Sequence, residues 1–315
     1  MKLLISIPCF NEEELIKRTI DKLPREIKGF NKVDILVIND GSTDRSEEII
    51  KELKIDYYYK FETNVGLAKV FQKSLSIAKK ENYDVMVNFD ADNQYPENRI
   101  QDLCNPILEK KTKYCIGSRD FDKAADFTFV KKNLQKLGNR IFSLILFNNS
   151  KKISDFTSGF RAIHKSLFDK LEFYSSFSYT VESIVQLANL NEKISQIKIS
   201  TNRVSRPSRL VKSNFDFIIR QTITLFKVLA IHNPLSFFLK SSFILFFLSL
   251  IVFIRYFYYF LNGTGADHIA SLIAGAVLFI SSIFFIGFGL VSDQIMSFKK
   301  EFIKEKEKLN DKKDN

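Results

Sequence analysis

Residues 83–94 read YDVMVNFDADNQ, a stretch that determines which class of fold the chain adopts. It begins with a short apolar run, which is typical of a buried strand, and it ends in a polar cluster. Residues two apart in an extended segment point to the same side, so we expect Asp90, Asp92 and Gln94 to present three oxygen ligands together. Such ligands suit Mg²⁺ or Mn²⁺, which bind a few carboxylates together with substrate phosphates. A solvated loop is the alternative interpretation of the same residues.

Two earlier stretches repeat the pattern of an apolar run followed by a polar cluster. They are LLISIP (3–8) and DILVIND (34–40), with helical patterns at 12–22, 46–52 and 67–81. This alternation predicts a parallel sheet with crossover helices. In such sheets ligands bind beyond the carboxyl ends of the strands. The chain contains neither GxGxxG nor GxxxxGK[ST], so dinucleotide-binding and P-loop interpretations lose their main support.

The polar cluster NDGSTD (39–44) has two interpretations. Gly41 permits a sharp turn, and the Ser, Thr and Asp that follow it can cap the next helix. Capping does not account for Asp40, whose carboxylate could accept hydrogen bonds from a base or a ribose. The first cluster, residues 8–14, has the same turn-and-cap alternative.

The formal charge of +11 is concentrated in residues 193–240, which hold nine Lys or Arg and one acidic residue. A basic block suits nucleic acid, anionic lipid or a phosphate-bearing substrate. This block leads into an apolar segment and has no recognition motif, so we expect lipid and phosphate rather than nucleic acid. The cysteines Cys9, Cys104 and Cys115 are odd in number and lack metal-ligand spacing. Neither a disulfide framework nor a zinc site is expected, as in a reducing compartment.

Two apolar segments near the C-terminus, 243–261 and 269–291, contain one charged residue between them. Each is long enough for a spanning helix, which needs about 20 residues. The short linker contains Gly263 and Gly265, so the segments are predicted to form a tight transmembrane hairpin. A buried helical hairpin of a large soluble protein is the alternative. Lysines flank the pair and the linker has none, so the positive-inside rule predicts a cytoplasmic catalytic domain and cytoplasmic termini.

The predicted organisation has four parts. Residues 1–212 form the catalytic domain, 213–236 a juxtamembrane interfacial helix, 237–292 the two spans and 293–315 a charged cytoplasmic tail. Apolar residues at helical spacing in the second part suit a helix lying on the bilayer, with a core helix as the alternative. We expect Lys212, Arg220 and Lys227 to hold the domain against anionic membrane lipid.

Six motifs in chain order carry a family resemblance: PCFNE, INDGSTD, NVGLAK, DADNQ, GSR and DFTSGFR. Over about residues 3–230 they resemble family 2 glycosyltransferases, in the branch of dolichol-phosphate mannosyltransferases and bacterial polyprenyl-phosphate glucosyltransferases. The resemblance implies an α/β fold, a GT-A Rossmann-like nucleotide-sugar-binding domain with a C-terminal two-helix transmembrane hairpin. It also implies inverting transfer of a hexose from a nucleotide-diphosphate sugar to a polyprenyl phosphate.

The resemblance implies roles for residues at matching motif positions. Those for the nucleoside are Pro8, Phe10, Glu12, Ile38 and Asp40. Those for the metal, Mg²⁺ or Mn²⁺, and the donor diphosphate are Asp90, Ala91, Asp92 and Gln94. Two cations that would clamp the diphosphate are Arg203 and Arg209. Those near the reacting and acceptor phosphates are Arg119, Lys131 and Lys132. Asp155 is a candidate base, orienting group or structural anchor, and Glu182 has a structural or acceptor-side role.

Some positions depart from the family pattern. Phe10 stands where Tyr is usual, and the R-x-x-G-x-S-K motif appears as residues 203–209 with Arg206 in place of Gly. Arg209 replaces Lys and keeps a phosphate-binding cation. Lys131 and Lys132 stand where Arg and Ser are usual, which preserves charge but not a hydroxyl.

The implied chemistry needs little acid–base assistance. A lipid phosphate is already an anion near neutral pH, so catalysis would depend on positioning and on stabilising the departing diphosphate. One alternative is a family 2 enzyme with a saccharide acceptor; processive synthases are disfavoured because their Q-x-x-R-W signature needs Trp, which this chain lacks. Another is a non-enzymatic membrane adaptor with a degenerate nucleotide-binding domain. Gly275, Gly287 and Gly289 would permit a homo-oligomer through close helix contact.

Overall fold

A computed structural model of the chain describes residues 1–120, 139–140, 143, 153–173, 179–202, 223 and 226–311. The chain divides into two compact units, residues 1–224 and residues 225–315. The first unit contains a β-sheet with α-helices, and the second contains two long helices. The domain bounds predicted at residues 212, 236 and 292 stay predictions.

The first unit is built on one seven-stranded sheet. Its strands are β1 (Lys2–Cys9), β2 (Lys32–Asp40), β3 (Tyr57–Phe61), β4 (Val85–Asn88), β5 (Tyr114–Arg119), β6 (Arg161–His164) and β7 (Ile194–Ile199). Their order across the sheet is β3-β2-β1-β4-β6-β5-β7. β1 runs parallel to β2 and β4, β2 to β3, and β5 to β7, which confirms the predicted parallel pairing for these strands.

One strand, β6, departs from the predicted parallel sheet, because it runs antiparallel to both of its neighbours. Arg161 at the start of β6 pairs with Asn88 at the end of β4. The strand therefore enters the sheet from the carboxyl edge, whereas a parallel strand would enter from the opposite edge. As a result, the residues that precede β6 lie beside the polar clusters.

Helices cover both faces of the sheet. In chain order they are α1 (Ile16–Lys22), α2 (Ser46–Lys51), α3 (Leu67–Lys80), α4 (Ile100–Leu108) and α5 (Tyr179–Asn189). Because strand side chains alternate between faces, Leu3, Ile5 and Ile7 of β1 pack with α1, α2 and α4, while Leu4 packs with α3 and α5. The sheet is thus buried on both sides, as the near-continuous apolar runs of its central strands require.

Several predicted boundaries differ from the structure. Residues 13–15 form a turn before α1, in which the amides of Leu15 and Ile16 both donate to the carbonyl oxygen of Glu12, at 3.0 and 2.9 Å. The predicted strand at 83–90 is regular only over Val85–Asn88. α2 and α3 each end one residue earlier than predicted, at Lys51 and Lys80.

The second unit contains α6 (Pro234–Leu261) and α7 (Ile269–Asp311), joined through a 3₁₀ turn at Gly265–His268. The Ser242 hydroxyl donates to the carbonyl oxygen of Ser282 at 2.8 Å, which ties the two helices together. A Cβ atom on Gly275 would lie 2.8 Å from the Phe253 ring, so the missing side chain permits close approach.

Two helices among the described residues are long and apolar enough to cross a membrane, Pro234–Leu261 and Gly265–Phe298. They contain the predicted segments 243–261 and 269–291. Only 11% of the most apolar window of each helix is buried, and side chains such as Phe243 and Ile251 are more than half exposed. A buried soluble hairpin would hide this surface, so the pair indicates membrane association.

The segment before α6 is described in part. Residues 226–232 are helical, and Phe226 and Lys227 are exposed while Val228 and Leu229 are buried. Most of the predicted interfacial helix, including Lys212 and Arg220, lies outside the described residues.

Candidate active site

The first two polar clusters meet at the carboxyl edge of the sheet. β1 and β2 end side by side, with Cys9 paired to Asn39. The turns beyond them are joined by hydrogen bonds from the Asn11 amide to the Ser42 hydroxyl at 3.0 Å and from the Thr43 amide to the Asn11 side chain at 2.8 Å. The bonded residues are 31 and 32 apart in sequence, so two distant turns together form one polar rim.

Asp40 is buried in this rim and has backbone partners. Its two carboxylate oxygens accept hydrogen bonds from the amides of Val65 and Gly66, at 2.8 and 3.1 Å. Burial raises the pKa of Asp40, and the two amides oppose that increase. Gly41 has a φ of +69°, and a Cβ atom there would lie 2.6 Å from the backbone of Thr63. The rim therefore requires glycine at 41, and Asp40 anchors the NVG turn.

The other predicted nucleoside-binding residues differ in exposure. Phe10 is 40% exposed, and Pro8 and Glu12 are half-buried at the same edge. Ile38 is completely buried and packs in the core with α3, so it supports the rim from beneath. Contact of these residues with a nucleoside stays a prediction.

The DADNQ segment is a turn rather than an extension of β4. Asp92 lies in a turn, and Asn93 has a φ of +57°. The expectation that alternate residues of an extended segment align Asp90, Asp92 and Gln94 is therefore wrong. Ala91 is buried, and its carbonyl oxygen accepts a hydrogen bond from the Thr19 hydroxyl at 2.8 Å, which fastens the turn to α1.

The turn nevertheless brings the two aspartates into electrostatic contact. Burial, and to a lesser extent the charge of Asp92, raises the pKa of Asp90 to about 7, while Arg119 opposes the increase. Asp92 accepts a hydrogen bond from the backbone amide of Gln94 at 3.0 Å. No group of three or more His, Cys, Asp or Glu side chains that could hold a metal occurs within the described ranges.

The segment after β7 is tied to the same turn. The backbone amide of Asn202 donates to the carbonyl oxygen of Gln94 at 2.9 Å, and its side-chain amide donates to the carbonyl oxygen of Asn93 at 3.0 Å. Asn202 immediately precedes Arg203, one of the two predicted diphosphate clamps. The chain therefore approaches the aspartate turn directly before that arginine. Arg203, Arg209, Lys131 and Lys132 themselves lie outside the described residues.

Arg119 and Asp155 form a bidentate ion pair beside the turn. Arg119 donates from Nε and Nη2 to the Asp155 carboxylate at 2.7 and 3.0 Å, and from Nη2 to the Thr157 hydroxyl at 2.7 Å. The amides of Thr157 and Ser158 also donate to Asp155, each at 3.1 Å. Burial favours a higher pKa for Asp155, but Arg119 and these donors lower it overall. Asp155 is therefore an ionised anchor for Arg119.

Four residues that sequence reasoning missed surround the Asp90 carboxylate: Asn88, Tyr95, Gly159 and Tyr179. The Asn88 side chain donates to the Tyr179 hydroxyl at 2.8 Å and approaches Asp90 Oδ1 at 3.3 Å. The sequence offers one indication of Asn88, which is a polar residue inside an otherwise apolar strand. It offers no indication of Tyr179, because that residue lies 91 residues from its partner Asn88.

Arg161, the last residue of DFTSGFR, is completely buried and connects this region to α5. Its guanidinium donates to the carbonyl oxygens of Phe156, Ser158 and Thr180, at 2.8, 2.7 and 2.7 Å. It also donates to the Tyr114 and Ser183 hydroxyls at 2.8 and 2.7 Å. Glu182 is completely buried on α5. The buried guanidinium of Arg161 has hydrogen-bond acceptors on all sides, so it fixes the loop that holds Asp155 and Gly159.

The mixed α/β sheet, with its antiparallel sixth strand, matches solved glycosyltransferase structures of GT-A fold. The chain belongs to Glycosyl transferase family 2, whose pattern matches residues 4–172. It is similar to glucosyl-3-phosphoglycerate synthase from Mycobacterium tuberculosis, crystallised with Mn²⁺, UDP and glucosyl-3-phosphoglycerate. That match has a TM-score of 0.56 at 16% identity and covers 73% of this chain and 79% of the other, which establishes the fold.

Two relatives act on dolichyl phosphates according to their names. The chain is 30% identical over 180 residues to UDP-N-acetylglucosamine–dolichyl-phosphate N-acetylglucosaminyltransferase from Methanococcus voltae, covering 51% of this chain and 68% of the relative. It is 30% identical over 179 residues to dolichol-phosphate mannosyltransferase from Pyrococcus furiosus, covering 55% and 49%. The chain thus spans about half the length of the second relative.

Proposed function

We propose that this glycosyltransferase is a membrane enzyme that transfers a hexose, with inversion, from a nucleotide-diphosphate sugar to a polyprenyl phosphate. The observation that carries the proposal is the pair of exposed apolar helices, α6 and α7, on the chain of a family 2 glycosyltransferase. A polyprenyl phosphate has its reactive headgroup at the membrane surface, where such a chain would meet it. The two relatives named for dolichyl phosphate support the same acceptor class.

The donor would lie along the carboxyl edge of the sheet. Phe10 exposes a ring next to the rim that holds Asp40, as stacking against a nucleoside requires. The donor diphosphate would extend toward the DADNQ turn and Asn202, and Arg203 and Arg209 are proposed to clamp it.

The residues of the aspartate turn fit a divalent cation, Mg²⁺ or Mn²⁺. Asp90 and Asp92 would hold it, because two carboxylates in one turn are a suitable donor set. Burial, and to a lesser extent the charge of Asp92, raises the pKa of Asp90. Gln94 is a third proposed ligand. A bound cation would neutralise charge on the departing diphosphate.

Arg119 is proposed to act on the reacting phosphates, and Asp155 to orient it. The bidentate pairing fixes the guanidinium plane, which suits recognition of phosphate oxygens. Asp155 is a poor general base, since its lowered pKa and multiple donors stabilise the charged form. The acceptor phosphate is already an anion and does not need a strong base, so rate enhancement would come from positioning.

The proposed topology has the catalytic domain and both termini in the cytoplasm. Lys227 precedes α6, and Lys240 lies in its first two turns, before the apolar segment 243–261. Lysines at 299, 300, 304, 306 and 308 follow the second apolar segment, and the linker has neither Lys nor Arg. This distribution follows the positive-inside rule. The cysteines agree with a reducing compartment, since all three are free and buried.

A transfer assay with a matched variant tests the proposal. Membranes containing the full chain would be given a panel of radiolabelled UDP- and GDP-sugars with undecaprenyl phosphate, and separately with saccharide acceptors. We expect one donor to label the lipid, Asp92→Ala to abolish labelling, and the exposed-surface control Asp21→Ala to retain it. Full activity of Asp92→Ala, or labelling of saccharide but not lipid, would contradict the proposal. A wild-type chain that binds no nucleotide sugar would favour a non-enzymatic adaptor instead.

A further inference from the structure

The Asp90 carboxylate is enclosed on its protein side by four residues, which we call the Asp90 seat: Asn88, Tyr95, Gly159 and Tyr179. They come from β4, the turn after it, the segment before β6, and α5. The three side chains are at most 2% exposed. The seat is therefore assembled from distant parts of the chain and excludes solvent from the back of the carboxylate.

Hydrogen bonds connect the members of the seat to one another. The Tyr179 hydroxyl accepts from Asn88 at 2.8 Å and donates to the carbonyl oxygen of Gly159 at 3.2 Å. The amide of Gly159 donates to the Tyr95 hydroxyl at 2.9 Å, and the Tyr95 hydroxyl also interacts with Asp90. Each polar group thus holds a neighbour in place.

Aromatic stacking fixes the two tyrosine rings. Tyr179 stacks on Phe71 with ring centroids 4.0 Å apart, and Tyr95 stacks on Phe160 at 5.2 Å. Neither hydroxyl can therefore move without disturbing packing on one face of the sheet.

Gly159 forms the tightest wall of the seat. A Cβ atom there would lie 2.7 and 2.8 Å from the two oxygens of Asp90, and 3.0 Å from the Tyr179 hydroxyl. Gly159 is not among the glycines with positive φ, so the requirement for glycine comes from space rather than backbone conformation. A single added methyl group would displace the carboxylate away from the protein.

We propose that the Asp90 seat is a set of positioning residues that fixes the direction of the Asp90 carboxylate and thereby sets the affinity of the turn for a divalent cation. The inference rests on the proposed metal-dependent function. Residues behind metal ligands orient them, and their replacement typically lowers metal affinity by about 10- to 100-fold. The seat has this arrangement around one proposed ligand, Asp90.

Mn²⁺ binding to the full chain in detergent micelles tests the proposal. Free Mn²⁺ would be measured by electron paramagnetic resonance with saturating UDP or GDP. Tyr179→Phe removes one hydroxyl, and Gly159→Ala adds one methyl group. The matched control is Tyr83→Phe, since Tyr83 is a buried tyrosine whose hydroxyl bonds to Asp34 near the start of β2, at the other end of the sheet.

The expected result is a Mn²⁺ dissociation constant raised about tenfold in both seat variants, and unchanged in Tyr83→Phe. Melting temperatures of the two tyrosine variants should be similar, and Tyr179→Phe alone decides the test if Gly159→Ala does not fold. Wild-type affinity in folded Tyr179→Phe, or an equal loss in Tyr83→Phe, would overturn the positioning role while leaving the metal site intact. Absence of nucleotide-dependent Mn²⁺ binding by the wild-type chain would overturn the metal assignment as well.

Discussion

Two segments bring an aspartate to the same edge of the sheet, and their environments are opposite. Asp155, in the segment before β6, is paired with Arg119 and accepts hydrogen bonds from three backbone amides, and its pKa is lowered. Asp90, in the turn after β4, has a pKa that is raised by burial and, to a lesser extent, by the charge of Asp92. The fold thus supplies the counter-charge of Asp155 from its own chain. We infer that the counter-charge of Asp90 is supplied by a bound cation.

The sharpest test of this difference is an isosteric Asp90→Asn substitution. We expect sugar transfer to fall at least about 100-fold, the loss typical when one charge-stabilising group is removed from an active site. The free energy of unfolding should stay within about 1 kcal/mol of the wild type or rise, because the substitution removes the charge of a half-buried carboxylate whose pKa is raised in the folded chain. Initial rates and chemical unfolding of the same preparation measure both. Strong destabilisation with normal transfer would reverse the roles given to the two aspartates.

Asp155→Asn should lower the stability of the chain, in contrast to Asp90→Asn. Removing one partner of a buried ion pair leaves the other charge uncompensated, so we expect a loss of about 3 kcal/mol in unfolding free energy. Transfer should also fall, because Arg119 loses its orientation. The matched control is Asp56→Asn, which breaks an exposed pair with Arg25 and should cost less than about 1 kcal/mol. Equal stability losses at the two sites would contradict the anchoring role.

The same pair predicts a pH dependence. Because the pKa of Asp155 is lower in the folded than in the unfolded chain, its stabilisation is complete above the ordinary carboxyl pKa of about 3.9. It is lost as pH falls through the lowered folded value. The stability difference between wild type and Asp155→Asn should therefore be constant from pH 8 to about 5 and shrink below about 4. A difference that persists undiminished in stronger acid would show that it does not arise from the carboxylate charge.

The smallest effect is expected outside both segments, at Lys227. This exposed residue precedes α6, and attraction to anionic lipid is worth about 1 kcal/mol per lysine. Lys227→Gln removes one such attraction and should reduce the stimulation of transfer by anionic lipid about fivefold or less, measured in nanodiscs of neutral and anionic lipid. Lys17→Gln removes the same charge at an exposed position on α1 and is the control. A larger effect than that of either aspartate substitution would refute this ranking.

The sequence predicted the parts of the fold that local patterns determine. Apolar runs located β1, β2 and β4, and the polar residues after them marked the carboxyl edge. Local patterns do not encode how a strand is paired, so the direction of β6 was missed: its partner strand β4 ends at Asn88, more than 70 residues before β6 begins at Arg161.

The sequence predicts which residues of the site carry charge better than it predicts how those residues are arranged. The motif identifies the aspartates, but strand periodicity does not extend past the end of a strand and therefore does not predict the turn at 91–92. The partners of Asp40 lie 25 and 26 residues away, and Tyr179 lies 91 residues from Asn88. Only tertiary folding brings these groups together, which is why the Asp90 seat was not predicted.

The most direct test of the whole account is metal-dependent transfer by the purified full chain. Labelled sugar would be followed from its nucleotide donor to undecaprenyl phosphate in detergent or nanodiscs, before and after chelation with EDTA. We expect EDTA to stop the formation of labelled lipid, and Mn²⁺ or Mg²⁺ to restore it. Transfer to the lipid that is unaffected by EDTA, or metal-dependent transfer to saccharide alone, would contradict this expectation.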